Sequence, residues 1–186
     1  MAADGARRAQ LVAHPDTPRA DTALVAEARL DAAGLLRLEY LLDADLAHVR
    51  LPGSERRERR DGLWRSTCFE AFVGVPGLPG YYEFNFSPGG DWAAYHFEDY
   101  RQGMLAAELV APPRLYVRTL PGQLHLEAQV QLAGLPALTA ATHLRLALAA
   151  VIEDHAGALS YWALEHPAGA ADFHHCGGFV LELKAP

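Results

Sequence analysis

Hydrophobic and polar residues alternate with a period of two in four separate stretches of this chain. The stretches are LLRLEYLLD, YYEFNFSP, QLHLEAQVQL and HLRLALAAVIED, which begin at Leu35, Tyr81, Gln123 and His143. Successive side chains of a β-strand point to opposite faces, so each stretch presents an apolar face that another layer must cover. Clusters of proline and glycine, such as PGLPG and SPGGD, separate the stretches and mark turns. The pattern predicts an all-β fold, an antiparallel, jelly-roll-like β-sandwich with at most short helical turns.

The length of 186 residues is sufficient for one sizeable core, and a sandwich can use all of it. We therefore expect a single domain over 1–186, with a flexible N-terminal segment at 1–9. A content of 51% hydrophobic and 21% charged residues is typical of globular proteins and excludes a disordered or collagen-like chain. The net charge of -7 argues against nucleic acid as a partner, because a phosphate-binding surface needs excess Lys and Arg.

Neither a membrane span nor a targeting segment is visible in the sequence. A bilayer span needs about 18 consecutive apolar residues, and the opening MAADGARRAQLVAHP lacks the apolar run of a signal peptide. We therefore expect no membrane partner and a cytoplasmic location. Cys68 and Cys176 fit neither a disulfide scaffold nor a CxxC zinc site, so two free thiols are expected, and whether they pair is left open.

The stretch LWRSTCFEAFVGV, residues 63–75, places a carboxylate in a strand that reads as buried. Strand parity puts Glu70 on the same face as an apolar phenylalanine, so that face is not ordinary solvent-exposed surface. The next strand follows PGLPG closely enough to form a hairpin, which would bring Glu83 and Asn85 beside Glu70. Because burying one bare charge is costly, these groups must be solvated, paired or bound to a ligand.

A concave sheet face of this composition suits a polyhydroxylated ligand. Carboxylate and amide oxygens accept hydrogen bonds from sugar hydroxyls, Arg65 or Arg101 can donate to them, and an indole can cover the apolar face of a pyranose. Trp64 is the indole nearest to the acidic strand. It would lie about 20 Å from Glu70 on one straight strand, so a shared site requires the Trp64 segment to fold back over the sheet.

Three segments of the sequence carry a resemblance to a known family. LWRSTCFEAF, YYEFNFSPGGDWAAYHFEDYR and YWALEHPAGAADFHHCGGFVLEL resemble the DOMON-like domains related to family-nine carbohydrate-binding modules. The likeness extends from about Leu11 onward, and it implies a single non-catalytic ligand-binding domain of bacterial type. In the carbohydrate-binding relatives, a sugar end is gripped between two tryptophans, and Glu, Arg and Asn bind its hydroxyls.

The resemblance assigns roles to particular residues of this chain. Trp64 corresponds to the first indole, Glu70 to the strand acid, Trp162 to the second indole and Arg101 to the guanidinium. Where many such modules have acidic residues after LW, this chain has RST at 65–67. The departure leaves the sugar specificity, and any calcium site there, open.

Two other readings involve histidine. Other DOMON domains hold haem through Met and His, which here would require Met104 to meet His166, His174 or His175. The stretch EHPAGAADFHHCGG is dense in potential zinc ligands but matches no standard ligand spacing. We expect no cofactor and no metal site, and we expect the histidines at 166 and 174 to satisfy backbone groups and line the rim of the pocket.

An enzyme is the remaining alternative. Glu70 and Glu83 could form a general acid and base pair acting on a sugar, because two like charges held close together raise one pKa. The sequence contains no nucleophile elbow, no phosphate-binding glycine loop and no HExxH motif. Acidic groups facing a sugar are equally well explained by hydrogen bonding, so the sequence favours reversible binding over catalysis.

Overall fold

The computed structural model describes residues 5–17, 19, 21–54 and 56–184. These residues form one four-residue α-helix, three 3-10 turns and twelve β-strands: β1 (Arg7–Ala13), β2 (Ala23–Leu30), β3 (Leu35–Asp43), β4 (Cys68–Gly74), β5 (Tyr81–Phe86), β6 (Trp92–Phe97), β7 (Leu105–Ala106), β8 (Arg114–Leu120), β9 (Gln123–Gln131), β10 (His143–Glu153), β11 (Leu159–Ala163) and β12 (Leu181–Lys184). The helix, α1, spans Pro136–Thr139, and the 3-10 turns span Leu46–His48, Leu63–Arg65 and Cys176–Gly178. The predicted fold class is confirmed, and the four alternating stretches are β3, β5, β9 and β10.

All strand pairs in the ladders are antiparallel, and the sheet order is β7-β6-β5-β4-β10-β11-β1-β2-β3-β9-β8, with β12 beside the start of β10. Strand β1 joins the two halves, since residues 7–11 pair with β2 and residues 12–13 pair with β11. We call β1, β2, β3, β8 and β9 the back half, and the other strands the front half. Strand β1 begins at Arg7, so part of the segment expected to be flexible lies in the sheet, and residues 1–4 lie outside the described residues.

The main core lies between the two halves. It combines inward side chains of the back half, such as Leu38 and Leu126, with inward side chains of the front half, such as Phe69 and Phe84, all fully buried. Each such side chain stabilises the fold by about 1.5–3 kcal/mol through removal of apolar surface from water. The period-two pattern of the sequence thus corresponds directly to this core.

The front half is buried on its other face as well. Every residue of β4 and β5 is buried, and a second cluster, which includes Phe72, Tyr81 and Phe97, packs on the side away from the main core. We call this side the outer face. It is covered by the turn at Leu63–Arg65 and by parts of the segment from 164 to 180. Strand parity therefore sends alternate residues of β4 and β5 either into the main core or toward this cover.

Among the described residues, none of the helices has the length and apolar character that a bilayer crossing requires. Both cysteines are free thiols: Cys68 is buried on β4, whereas Cys176 is exposed in the last 3-10 turn.

Candidate functional site

A cavity of about 360 Å³ lies on the outer face of the front half. Its floor consists of side chains from five strands, namely Glu70, Glu83, Phe97, Val151 and Tyr161. These groups lie close together because their strands are side by side in the sheet, in the order β6-β5-β4-β10-β11. The volume lies within the range of about 300–1,000 Å³ that is typical of small-molecule sites.

The walls of the cavity come from loops. They are formed by Trp64, Arg101, Met104, Phe173 and His174, together with the small side chain of Ala171. Trp64 reaches the cavity because the chain folds back in a 3-10 turn before β4, after Gly62 adopts a left-handed φ of 78°. The folding-back that the sequence required for Trp64 and Glu70 to share a site is therefore present.

Trp64 is oriented by a group of side chains behind it. Its indole packs edge-on against Tyr95, with the ring centroids 5.8 Å apart. The Tyr95 hydroxyl donates to Oδ1 of Asp61 at 2.6 Å, and the Arg59 guanidinium lies 5.5 Å from the centroid of the Tyr95 ring. The hydrogen bond from Tyr95 lowers the pKa of Asp61, so this carboxylate stays charged and holds the phenol in place.

Glu83 is an acid with one hydrogen-bond donor and a nearby imidazole. Asn85 Nδ2 donates to Oε1 of Glu83 at 2.6 Å, and Nε2 of His174 lies 3.7 Å from Oε2. Burial nevertheless raises the pKa of Glu83 to about 7, against the opposing effects of the Asn85 hydrogen bond and the Arg101 charge. Glu83 therefore ionises near neutrality, with its charge supported from two sides.

His174 is held in one tautomer by its neighbours. The Arg101 backbone N–H donates to the Tyr81 hydroxyl at 3.2 Å, and that hydroxyl lies 2.7 Å from Nδ1 of His174. Because the other ring nitrogen, Nε2, faces the Glu83 carboxyl, a neutral imidazole carries its proton there and accepts at Nδ1 from the Tyr81 hydroxyl. Burial and the Arg101 charge lower the pKa of His174 to about 4, so the ring is neutral and presents its N–H toward Glu83.

Arg101 is fixed on the cavity wall by an acidic partner. Its Nη2 lies 2.7 Å from Oδ1 of Asp172, and the Tyr100 hydroxyl also donates to this carboxylate. The backbone φ of Arg101 is 53°, a left-handed conformation that a non-glycine residue adopts only with support. The ion pair and the hydrogen bond to Tyr81 supply that support and hold the guanidinium at the site.

Glu70 differs from every other polar group in the cavity. Its side chain is 3% exposed, and its Oε1 is buried without a hydrogen-bond partner. Burial and the Glu83 charge raise its pKa well above the ordinary range, and Arg101 opposes them only in part. Its backbone carbonyl accepts a 2.7 Å hydrogen bond from the hydroxyl of Tyr40, a core residue of β3. The backbone is thus fixed, whereas Oε1 of the carboxyl has no hydrogen-bond partner among the described residues.

The structure therefore brings together Trp64, Glu70, Glu83, Arg101 and His174 from the predicted site. It does not bring Trp162 to the cavity: its indole is 4% exposed in the main core, and its Nε1 donates to Ser160 Oγ at 3.1 Å. The physical reason is strand parity, since the preceding residue, Tyr161, faces the cavity. The expectation of a second indole at 162 is thus corrected, and a phenol lies on that strand instead.

Three further residues predicted for the site lie around it rather than in it. Asn85 is fully buried and acts on the cavity through its hydrogen bond to Glu83. Arg65 is exposed at the end of its 3-10 turn and does not line the cavity. His166 donates from Nε2 to the Val12 carbonyl at 2.9 Å and packs edge-on against His14. The imidazole at 166 thus ties the covering segment to β1, as expected for a histidine that satisfies a backbone group.

The other ligand readings can be compared with the donor groups that are present. Met104 and His174 line the same cavity, as the haem alternative requires, but both ring nitrogens of His174 face protein groups, the Tyr81 hydroxyl and Glu83. An axial ligand would have to give up one of these contacts. Among the residues that the structure describes, no group of three or more His, Cys, Asp or Glu side chains is arranged to hold a metal ion.

Several lining residues were not found from the sequence. The orientation of Phe97 and Tyr161 toward the cavity could be predicted from strand parity once the bounds of β6 and β11 are known. On each strand, side chains of the main core point to the opposite face. The ring of Phe173 packs against Phe72, with the ring centroids 6.5 Å apart. Phe173 comes from a segment without regular structure, for which the sequence carries no periodic signal.

A wider depression of about 720 Å³ lies elsewhere, between residues 16, 17, 19, 21 and 22 on one side and the turn at 154–160 on the other. Its lining is rich in charged side chains that already have partners, as in the ion pair of 3.1 Å between Arg19 and Asp154. Asp154 also accepts backbone N–H groups from its own turn. Because it has neither an aromatic wall nor a buried unpaired group, we consider the smaller cavity to be the candidate site.

Comparison with known structures identifies the fold. No protein-family profile matches the chain, and no curated protein sequence matches it. A candidate carbohydrate-binding protein from Bacteroides uniformis is similar, with a TM-score of 0.70 at 14% identity, over 97% of this chain and 86% of the other. A family-nine carbohydrate-binding module from Caldicellulosiruptor kristjanssonii in complex with glucose is also similar, with a TM-score of 0.55 at 11% identity, over 91% of this chain and 79% of the other. A family-nine module from the same organism in complex with cellotriose matches with a TM-score of 0.54 at 12% identity, over 90% of this chain and 77% of the other. At these identities, the likeness shows that the chain has the fold of these carbohydrate-binding proteins.

Proposed function

We propose that this protein binds a saccharide reversibly in the cavity between Trp64 and the acidic floor, without transforming it. The observation that carries the proposal is the convergence of an indole, a guanidinium and two buried carboxyl groups on one cavity. Sugars present hydroxyls on their edges and C–H groups on their faces, so a site for them needs polar groups beside an aromatic surface.

The cavity supplies both kinds of surface. Glu83 accepts from sugar hydroxyls, Arg101 donates to them, and Trp64 offers its ring to an apolar sugar face. Phe173 and Tyr161 add aromatic surface where a second tryptophan was expected from the resemblance. We therefore propose that this protein grips its ligand between one indole and smaller aromatic rings, rather than between two indoles.

The structural neighbours support the choice of ligand class. Neighbouring modules have been described in complex with glucose and with cellotriose, and their fold covers most of this chain. The resemblance to DOMON-like domains fits the same fold. Glucose and short β-linked glucose oligomers are therefore the first ligands that should be tested.

Isothermal titration calorimetry and thermal-shift measurements with glucose, cellobiose and cellotriose test the proposal. A ligand that binds only the folded protein at 100 times its Kd stabilises it by about 2.7 kcal/mol, which is a readily measured shift in Tm. Trp64→Ala should reduce the shift to about half or less, and the matched control Trp162→Phe should keep it, because only the first indole lines the cavity.

Chromatography of the recovered ligand separates binding from catalysis. Unchanged ligand after prolonged incubation supports a binding protein, whereas products that disappear in Glu70→Gln would establish the enzyme alternative. Absence of any shift across a broad sugar panel, together with a haem Soret band that changes in Met104→Ala, would overturn the proposal in favour of the haem reading.

A further inference from the structure

The two acids of the cavity are close neighbours on adjacent strands. Glu70 is opposite Asn85, and Glu83 is opposite Phe72, so the two acids occupy diagonal positions on one face of the hairpin. Diagonal neighbours of this kind lie about 7–8 Å apart, a distance that two carboxyl groups readily shorten. Two carboxylates in one buried site repel each other, and the pair holds a proton that isolated acids would release.

The surrounding groups decide which acid holds that proton. Glu83 accepts a hydrogen bond at Oε1 from the Asn85 amide, 2.6 Å away. This hydrogen bond and the Arg101 charge favour the ionised form of Glu83. No such donor reaches the buried Oε1 of Glu70.

The other groups near Glu70 stabilise a charge on it only in part, through Arg101. The uncharged groups are the Cys68 thiol on its own strand, the Tyr40 hydroxyl, which is bonded to the Glu70 carbonyl, and the neutral His174 ring. Tyr161 faces the cavity from β11, Tyr81 and Tyr95 flank it from β5 and β6, and β10 contributes the apolar Val151. The nearby cation, Arg101, is bound to Asp172 at 2.7 Å.

We propose that Glu70 is a neutral carboxylic acid at pH 7 and that its O–H donates a hydrogen bond to a ligand oxygen that carries no hydrogen. This inference rests on the proposed function, because it names what the saccharide must present to Glu70. A ring oxygen, a glycosidic oxygen or a carbonyl oxygen satisfies an O–H donor. An ammonium group cannot accept this hydrogen bond, so a sugar with an amino group at this position leaves the Glu70 O–H without a partner.

The first test needs no ligand. Carbon-13 NMR of the free wild-type protein, with the Glu70 carboxyl assigned by through-bond correlation to its backbone, reports protonation directly. We expect the Glu70 carboxyl to be protonated at pH 7. The Glu83 carboxyl should titrate at a lower pH than the Glu70 carboxyl. An ionised Glu70 at pH 7 overturns the proposal. A protonated Glu70 in a protein that binds no sugar supports the proton assignment and removes only the proposed function.

The second test uses the ligand found by calorimetry. The wild-type affinity should fall by up to tenfold for each pH unit above the ionisation of Glu70, because one proton must then be taken up on binding. Glu70→Gln keeps an N–H donor of the same shape, so it should bind within a few-fold of wild type at pH 7 and lose this pH dependence. Glu83→Gln removes the repulsion between the two acids, so the affinity of this variant should begin to fall at a lower pH than that of wild type. An affinity that rises with pH in wild type and falls more than tenfold in Glu70→Gln, while the variant keeps its Tm, would show that Glu70 acts as a carboxylate acceptor.

Discussion

The Tyr81 hydroxyl and Nδ1 of His174, 2.7 Å apart, form the hydrogen bond that sets the proton position on the imidazole. The direction follows from Nε2 of the same ring, which lies 3.7 Å from Oε2 of Glu83 and carries the proton of the neutral imidazole. We expect long-range proton–nitrogen NMR to show the Nε2–H tautomer of His174 from pH 5 to 8, because its pKa is lowered to about 4. In Tyr81→Phe this fixed tautomer should be lost, and an unchanged spectrum would contradict the assigned donor direction.

Replacement of Trp64 should reduce ligand binding more than stability. The indole is half-buried at the cavity wall, so Trp64→Ala removes the aromatic surface under the ligand without opening the main core. We expect affinity to fall by at least about tenfold, which corresponds to about 1.4 kcal/mol. Trp64→Phe should give an intermediate value by calorimetry, and equal affinities for the two variants would show that ring area at this wall does not matter.

Tyr95 should act on binding through the indole that it supports. Tyr95→Phe removes the hydroxyl that donates to Asp61 at 2.6 Å but keeps the ring that packs on Trp64. The expected loss of stability is about 1 kcal/mol, the typical net value of one hydrogen bond, and the affinity should fall by a few-fold. Chemical denaturation and calorimetry measure the two effects. A binding loss as large as that of Trp64→Ala would mean that the phenol itself contacts the ligand.

Glu83 should make the protein less stable as the pH rises toward neutrality. Its folded pKa of about 7 lies above the ordinary value of 4.5, so the folded protein binds the extra proton between these values. The contribution of Glu83 to the free energy of unfolding is therefore fully present below about pH 4.5. It is lost as the pH rises through 7, which is a decrease of about 3 kcal/mol. Glu83→Gln should remove this loss, as measured by urea denaturation at each pH.

The comparison between wild type and Glu83→Gln at each pH is needed because His174 acts in the opposite direction. The folded pKa of His174, about 4, lies below the ordinary 6.5, so its contribution is present above pH 6.5 and lost as the pH falls through 4. The difference between the two proteins cancels this effect. A difference that does not change between pH 4.5 and 7 would show that Glu83 ionises normally.

Trp162 should be important for folding and neutral for binding. Trp162→Phe leaves a gap in the main core and removes the hydrogen bond to Ser160, so we expect a loss of about 1–3 kcal/mol of unfolding free energy. The affinity of the folded variant for its sugar should stay within about twofold of wild type. A tenfold loss in a folded variant would restore the second-indole role that the resemblance implied.

The sequence predicted the strands and the polar floor because both depend on the same parity. The alternation in LLRLEYLLD and in the hairpin strands fixes which residues face the core, and it placed Glu70, Glu83 and Asn85 on one side. The prediction was wrong at β11, where Tyr161 and Trp162 are adjacent and therefore point to opposite faces of the strand. Hydrophobicity alone does not show which of the two faces the cavity. The family resemblance then favoured the indole.

The walls of the cavity could be predicted only in part. Trp64 was found because an indole beside a charged loop is unusual, whereas Phe173 and Met104 reach the cavity from irregular segments. Such positions are set by tertiary contacts, for example the ion pair that holds Arg101 to Asp172. No periodic signal in the sequence corresponds to a contact of that kind.

The hydrogen bond from Tyr40 to the Glu70 carbonyl links the ligand site to a strand on the far side of the molecule. Tyr40 is fully buried and lies 30 residues before Glu70 in the chain, with no route to solvent or ligand. A substitution that removes this phenol frees the peptide that carries the acid, so the proposed selectivity is open to change during evolution without any substitution among the residues that line the cavity.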